Sequence, residues 1–157
     1  MSAFDQYAFF PIDREGRYQM RIGIMSADAS CMVPVECMNT VELASDSGAD
    51  MILVTRKVAD QLGHHVDNLS QDYNFAVQGK SGEPTIFKEV QTYIQLGNMR
   101  PLQAPIGLAV NEDALLENLF GNAGTIDSGQ ISATYYNKGV LYTDLMYAGE
   151  VAISSPL

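Results

Sequence analysis

Val41-Glu42-Leu43-Ala44-Ser45-Asp46-Ser47-Gly48-Ala49-Asp50-Met51-Ile52-Leu53-Val54 is the stretch whose reading decides the fold. An extended run with Val41 and Leu43 on alternate positions enters a small polar loop, and an apolar run leaves it. A carboxylate, a hydroxyl and a glycine therefore stand at the tip of a strand. Gly48 lets the backbone turn tightly and come close to another chain. Ser47 can hydrogen-bond to backbone groups and lock the loop. Asp46 is then held rigidly, as general acid–base chemistry requires. Taken alone, Asp-Ser-Gly is also the composition of a plain turn.

Further out, β signals dominate. Tyr7 to Phe10 and Tyr18 to Ile24 flank a turn-rich Pro11–Gly16 and read as a hairpin. Cys31 to Leu43 reads as extended. Thr55 can cap a short helix in which Val58, Ala59 and Leu62 share a face and Gly63 ends the turn. Tyr73 to Val77 and Thr85 to Leu96 flank Gly79-Lys80-Ser81-Gly82, a second hairpin. Pro105 to Val110 is another apolar strand, and Asn111 to Asn118 a polar turn or short helical one. Ile131 to Tyr136 and Val140 to Tyr147 surround the turn residues Asn137-Lys138-Gly139, and Val151 to Ile153 could be a last strand. Many short strands, with turns about 8–12 residues apart, suggest a closed sandwich or barrel.

Composition narrows the class. The 157 residues are one domain's worth, 46% hydrophobic and 18% charged, which fits a globular chain. A net charge of -10 repels phosphate backbones and anionic lipid, so neither nucleic acid nor membrane is an expected partner. No apolar run approaches the roughly 20 residues of a membrane span. Met1 to Gln6 lack a signal-peptide pattern, so a soluble protein is expected, although a piece of a longer polyprotein would look the same. If Cys31 and Cys37 share one strand, their Cα atoms lie roughly 20 Å apart, too far for a bridge. Free thiols would fit a reducing compartment, or a virion, better than secretion. His64-His65 and the two cysteines make no zinc pattern, and no phosphate-binding glycine loop is present, so no metal or cofactor is expected.

The order of the pieces resembles the retropepsin family, the single-lobed aspartic proteases of retroviruses, retroelements and their cellular relatives. Asp46-Ser47-Gly48-Ala49 is similar to its Asp-Thr/Ser-Gly-Ala signature, and Met51 to Val54 to the apolar strand after it. Val58 to Gly63 resembles the short helix of cellular and bacterial members. Val77 to Gly82 resembles the glycine-bearing flap. Leu119-Phe120-Gly121-Asn122 resembles the apolar-apolar-Gly segment near the domain's end, and Lys138 to Tyr142 a closing strand. The resemblance covers residues 33 to 145. It implies an all-β, closed barrel with one or two short helices, occupying 1–157 as a single domain with strand extensions at both ends. It further implies an aspartic endopeptidase, with Asp46 catalytic and Ser47, Gly48 and Ala49 forming the active-site loop. Gly79, Lys80, Ser81 and Gly82 would form a flap over an extended peptide or protein substrate. One Asp per chain implies a homodimer.

Two features depart from the pattern. Ser45 stands where the family has an apolar residue. Ala123 to Gly129 carries two glycines where the family has a helix. These departures and the terminal extensions leave a second expectation open, a non-catalytic module that keeps this fold within a larger assembly. Asp127-Ser128-Gly129 repeats the tripeptide without the following Ala and apolar run, and reads as a turn.

Overall fold

The computed structural model describes residues 4–12, 19–27, 37–45, 49–78, 84–97, 101–112, 115, 117–121, 132–137 and 149–156. Their strands are β1 (Phe4–Ile12), β2 (Gln19–Met25), β3 (Met38–Ser45), β4 (Ile52–Val54), β5 (Asn74–Gln78), β6 (Pro84–Leu96), β7 (Leu102–Ala109), β8 (Leu119–Phe120), β9 (Ser132–Asn137) and β10 (Gly149–Pro156). Helix α1 (Arg56–Gln61) follows β4, and two single 3₁₀ turns, Val66–Asn68 and Gln71–Tyr73, lead into β5.

One sheet runs in the order β2-β3-β8-β4-β7-β6-β5, and β2 also pairs with β6. That extra pairing closes six strands into a barrel and leaves β5 outside it, on β6. Most ladders are antiparallel, but β3 runs parallel to β8 and β4 parallel to β7. A separate sheet has the order β1-β10-β9.

Side-chain alternation explains the closure. Met20, Ile22 and Ile24 of β2, Val41 and Leu43 of β3, and Ile94 and Leu96 of β6 all turn into one core. Ile52 and Val54 join them from β4, while Leu53 between them enters a second cluster with Ala49, Phe87 and Ala109. A strand buried on both faces needs an unbroken apolar run, which is what Ile52-Leu53-Val54 supplies.

The helix forms as its residues dictate. The Thr55 hydroxyl accepts the Val58 N–H at 3.2 Å, Ala59 and Leu62 are buried, and Gly63 takes a positive φ of 84°. Beyond it, the buried Lys88 ammonium of β6 donates to the Val66 and Leu69 carbonyls at 2.9 and 2.8 Å. That cation satisfies backbone acceptors of the 3₁₀ segment and ties it to the barrel. Arg56 donates to the Val110 carbonyl at 2.8 Å and pairs with Asp60 and Asp67 at 3.2 and 2.9 Å.

Two expectations change. The first hairpin does not form. β1 pairs along its length with β10, from Phe4↔Pro156 to Ile12↔Gly149. β2 instead has a ladder to β3 along its length and one to β6 from Ile22 to Ile24. The described residues of the 111–118 stretch are turn, bend or irregular, as expected, up to Asn118. Finally, Cys37 is disulfide-bonded, not free. A separation of roughly 20 Å needs one unbroken strand through both cysteines, whereas β3 begins at Met38. The thiols therefore no longer argue for a reducing compartment. Cys31 lies outside the described residues, as do Val140 to Tyr147; the described partner of β9 is β10.

His64 follows the helix. Its Nε2 is buried without a hydrogen-bond partner, and burial, with a smaller contribution from His65, lowers its pKa below the ordinary 6.5. The neutral ring is thus favoured in the folded chain. As pH falls through 6.5 the unfolded chain takes up a proton that the folded chain resists, so stability declines. Urea midpoints at pH 7.5, 6.0 and 5.0 should fall in that order for wild type, and the decline should be shallower for His64→Leu.

Candidate active site

β3 delivers the chain to Ser45, which pairs with Phe120, and β4 carries it away from Ile52. The two strands do not pair with each other. β8 lies between them, with Leu119 opposite both Ala44 of β3 and Leu53 of β4. Asp46, Ser47 and Gly48, which join these flanks, lie outside the described residues. So do Gly79, Lys80, Ser81 and Gly82, and the second tripeptide at Asp127. Ala49 is described, and is buried.

Asn118 extends the short β8 ladder with its side chain. Its Oδ1 accepts the Thr55 N–H at 2.9 Å, its Nδ2 donates to the Glu42 carbonyl at 3.1 Å, and its own carbonyl accepts the Ala44 N–H at 2.9 Å. One amide therefore reaches the strand before the loop and the helix cap after it. Sequence reasoning missed this residue, because an asparagine before an apolar pair looks like turn chemistry.

Gly121 completes the wedge. A Cβ there would lie 2.5 Å from the Ala49 carbonyl oxygen, 2.7 Å from the Met51 nitrogen, and nearer still to the Met51 carbonyl oxygen. All three are backbone atoms, so nothing nearby can rotate away. Residues 118–121 thus touch both flanks of the 46–48 loop.

A cavity of about 260 Å³ is lined by Ala49, Asp50, Met51, Leu53, Phe75, Ala76 and Val77. It spans from the residues just after Gly48 to β5, the strand that leads toward Gly79. A second hollow of about 330 Å³ shares Met51 and Phe75 and adds Asp72, Tyr73, Asn74 and Glu89. Phe75 stacks on Phe87 with ring centroids 5.7 Å apart. It also lies over Gly107 of β7, where a Cβ would come within 2.7 Å of the ring and 2.6 Å of Leu53. Neither Phe75 nor Gly107 was marked by sequence reasoning. Among the described residues no three His, Cys, Asp or Glu side chains gather as metal ligands.

No protein-family model matches the chain, and no curated protein matches its sequence. The fold is a different matter. It is similar to the crystal structure of a retropepsin-like aspartic protease from Rickettsia conorii, with a TM-score of 0.58, 14% identity, and 100% of each chain covered. This chain has a retropepsin-like fold. At that identity the likeness carries architecture, and chemistry has to be argued from residues.

The two crowded glycines should behave differently. Gly121→Ala forces a methyl group against backbone and should cost roughly 3 kcal/mol, a melting point lower by on the order of 10 °C. Gly107→Ala meets the Leu53 and Phe75 side chains, so adding Phe75→Leu relieves one of the two contacts and should recover part of its loss. Thermal melts of the two single variants, and of each combined with Phe75→Leu, check the contrast.

Proposed function

We propose that this chain is an aspartic endopeptidase, active as a homodimer, with Asp46 of each protomer supplying one catalytic carboxylate. The observation that carries this reading is the wedge at 118–121. It ties together the two strand ends between which Asp46-Ser47-Gly48 falls, beside a cavity that starts at Ala49. The retropepsin-like fold supports the same reading.

The chemistry follows from two like charges held close together. Carboxylates about 3 Å apart cannot both ionise, so the pair keeps one proton; aspartic proteases are a standard case of this effect. The ionised member takes a proton from water, the protonated one polarises the peptide carbonyl, and the water oxygen attacks the carbon. The resulting diol collapses as a proton passes to the leaving amine. Ser47 braces the loop. Gly79, Lys80, Ser81 and Gly82 close over the substrate and exclude water. β5 is the last strand of its sheet order, so an extended peptide has a strand edge to add to. The cavity beside Ala49, where Met51, Leu53 and Phe75 stand with Asp50, would take one side chain of that peptide.

Cleavage of a peptide library at mildly acidic pH tests the proposal, with wild type and Asp46→Asn side by side. Wild type should cleave with a bell-shaped pH dependence, and Asp46→Asn should lose at least about 100-fold in kcat with its melting curve preserved. Sedimentation should show a dimer for both. A folded, dimeric wild type that cuts nothing would return the chain to the non-catalytic module.

A further inference from the structure

We infer that Asn118 is a positioning residue for the reaction: its side-chain amide sets the spacing of the two strand ends that present Asp46. The inference rests on the protease reading above. Asn118 touches no reacting group and acts through the loop.

β8 is short of ladder hydrogen bonds. It contributes only Leu119 and Phe120 to the ladders on either side of it. Two ladder residues give few hydrogen bonds between β3 and β4 on this side of the barrel. Asn118 lengthens the connection by one residue using both ends of its amide. The Nδ2–H bonds Glu42, four positions before Asp46, and the Oδ1 bonds Thr55, the cap that fixes the start of α1. The donor and the acceptor of the amide point to opposite flanks, so the side chain spans the gap that the loop must bridge. A hydroxyl is too short to span it, and an aliphatic group has neither function. Two carboxylates that must share one proton depend steeply on their separation, so a small error in either strand end becomes a large loss in rate.

Asn118→Asp gives a sharp test. Above about pH 4 the new carboxylate has acceptors only, and one of them faces the Glu42 carbonyl. Once protonated, the acid regains one donor and one acceptor, the pattern of the native amide. The experiment measures kcat and KM of wild type, Asn118→Ala and Asn118→Asp on the best-cleaved library peptide from pH 6.5 to 4, well below each melting point. Asn118→Ala should lose about 10- to 100-fold in kcat with KM within about threefold of wild type. The kcat of Asn118→Asp, relative to wild type, should rise as pH falls, and that of Asn118→Ala should not.

A lower melting point with unchanged kcat would make Asn118 merely structural and overturn the inference. A rise in KM alone would do the same. If Asn118→Ala fails to fold, the pH dependence of the Asn118→Asp ratio decides, and a flat ratio overturns the inference. A wild type that cuts nothing overturns the protease reading itself, and the positioning role with it, before any variant is compared.

Discussion

The barrel closes through two residues. β3 pairs with β2 and β8, β4 pairs with β7 and β8, and β3 and β4 share no ladder. Among the described strands, Leu119 and Phe120 are therefore the link that completes the ring on this side. So short a strand is stable only with reinforcement from its neighbours. Asn118 supplies polar bonds at one end and Gly121 permits backbone contact at the other. The Phe120 side chain is buried in the main core, which adds the apolar attachment that a two-residue ladder lacks. Every feature of the candidate site hangs from this joint, because it fixes where the chain leaves β3 and where it resumes at Ala49.

The second constraint is that the strands beside the joint are buried on both faces. Leu53 and Ala109 point away from the main core and meet Phe87, with Met51, Phe75 and Leu119 packed around them. This smaller cluster forms the wall of the cavity. Phe75 belongs to β5 and Met51 to the segment after the loop, so the base of the β5–β6 hairpin and the exit of the loop share one apolar surface. Gly107 makes that sharing possible by leaving room for the Phe75 ring against β7. A larger residue there would push the hairpin base outward and widen the cavity.

The sequence disclosed what local chemistry determines. The Thr55 cap, the Ala59 and Leu62 face and the stop at Gly63 are contained within nine residues of chain, so they could be read directly. The β5–β6 hairpin, joined across Gly79 to Gly82, was legible for the same reason. What escaped depends on distant partners. The ends of the chain, β1 and β10, pair with each other, and nothing in Phe4 to Ile12 says that its partner lies beyond residue 148. Asn118 is polar, next to an apolar pair, and its role exists only because Glu42 and Thr55 arrive from elsewhere. The proposal for Asp46 rests on a motif contained within four residues of chain. The residues that join the flanks of residues 46–48 were legible only in part, through the apolar-apolar-Gly run at 119–121.

Acidic conditions bear on both the chemistry and the fold. The proposed carboxyl pair works with one proton between its members, which calls for mildly acidic solution. The fold meets that condition with two opposed responses. His64 resists protonation, so its contribution weakens as pH drops through 6.5. Asp67 has the opposite sense: hydrogen bonding and charge from Arg56 hold its pKa below 3.8, so the stability it adds persists until pH falls beneath that value. Between these limits the folded chain gives up the histidine's share while the Arg56–Asp67 pair stays intact. Arg56 also anchors Val110 at the end of β7, so that pair secures the barrel beside α1. An acid limb of activity well above pH 3.8 would then belong to the catalytic carboxyls rather than to loss of this ion pair.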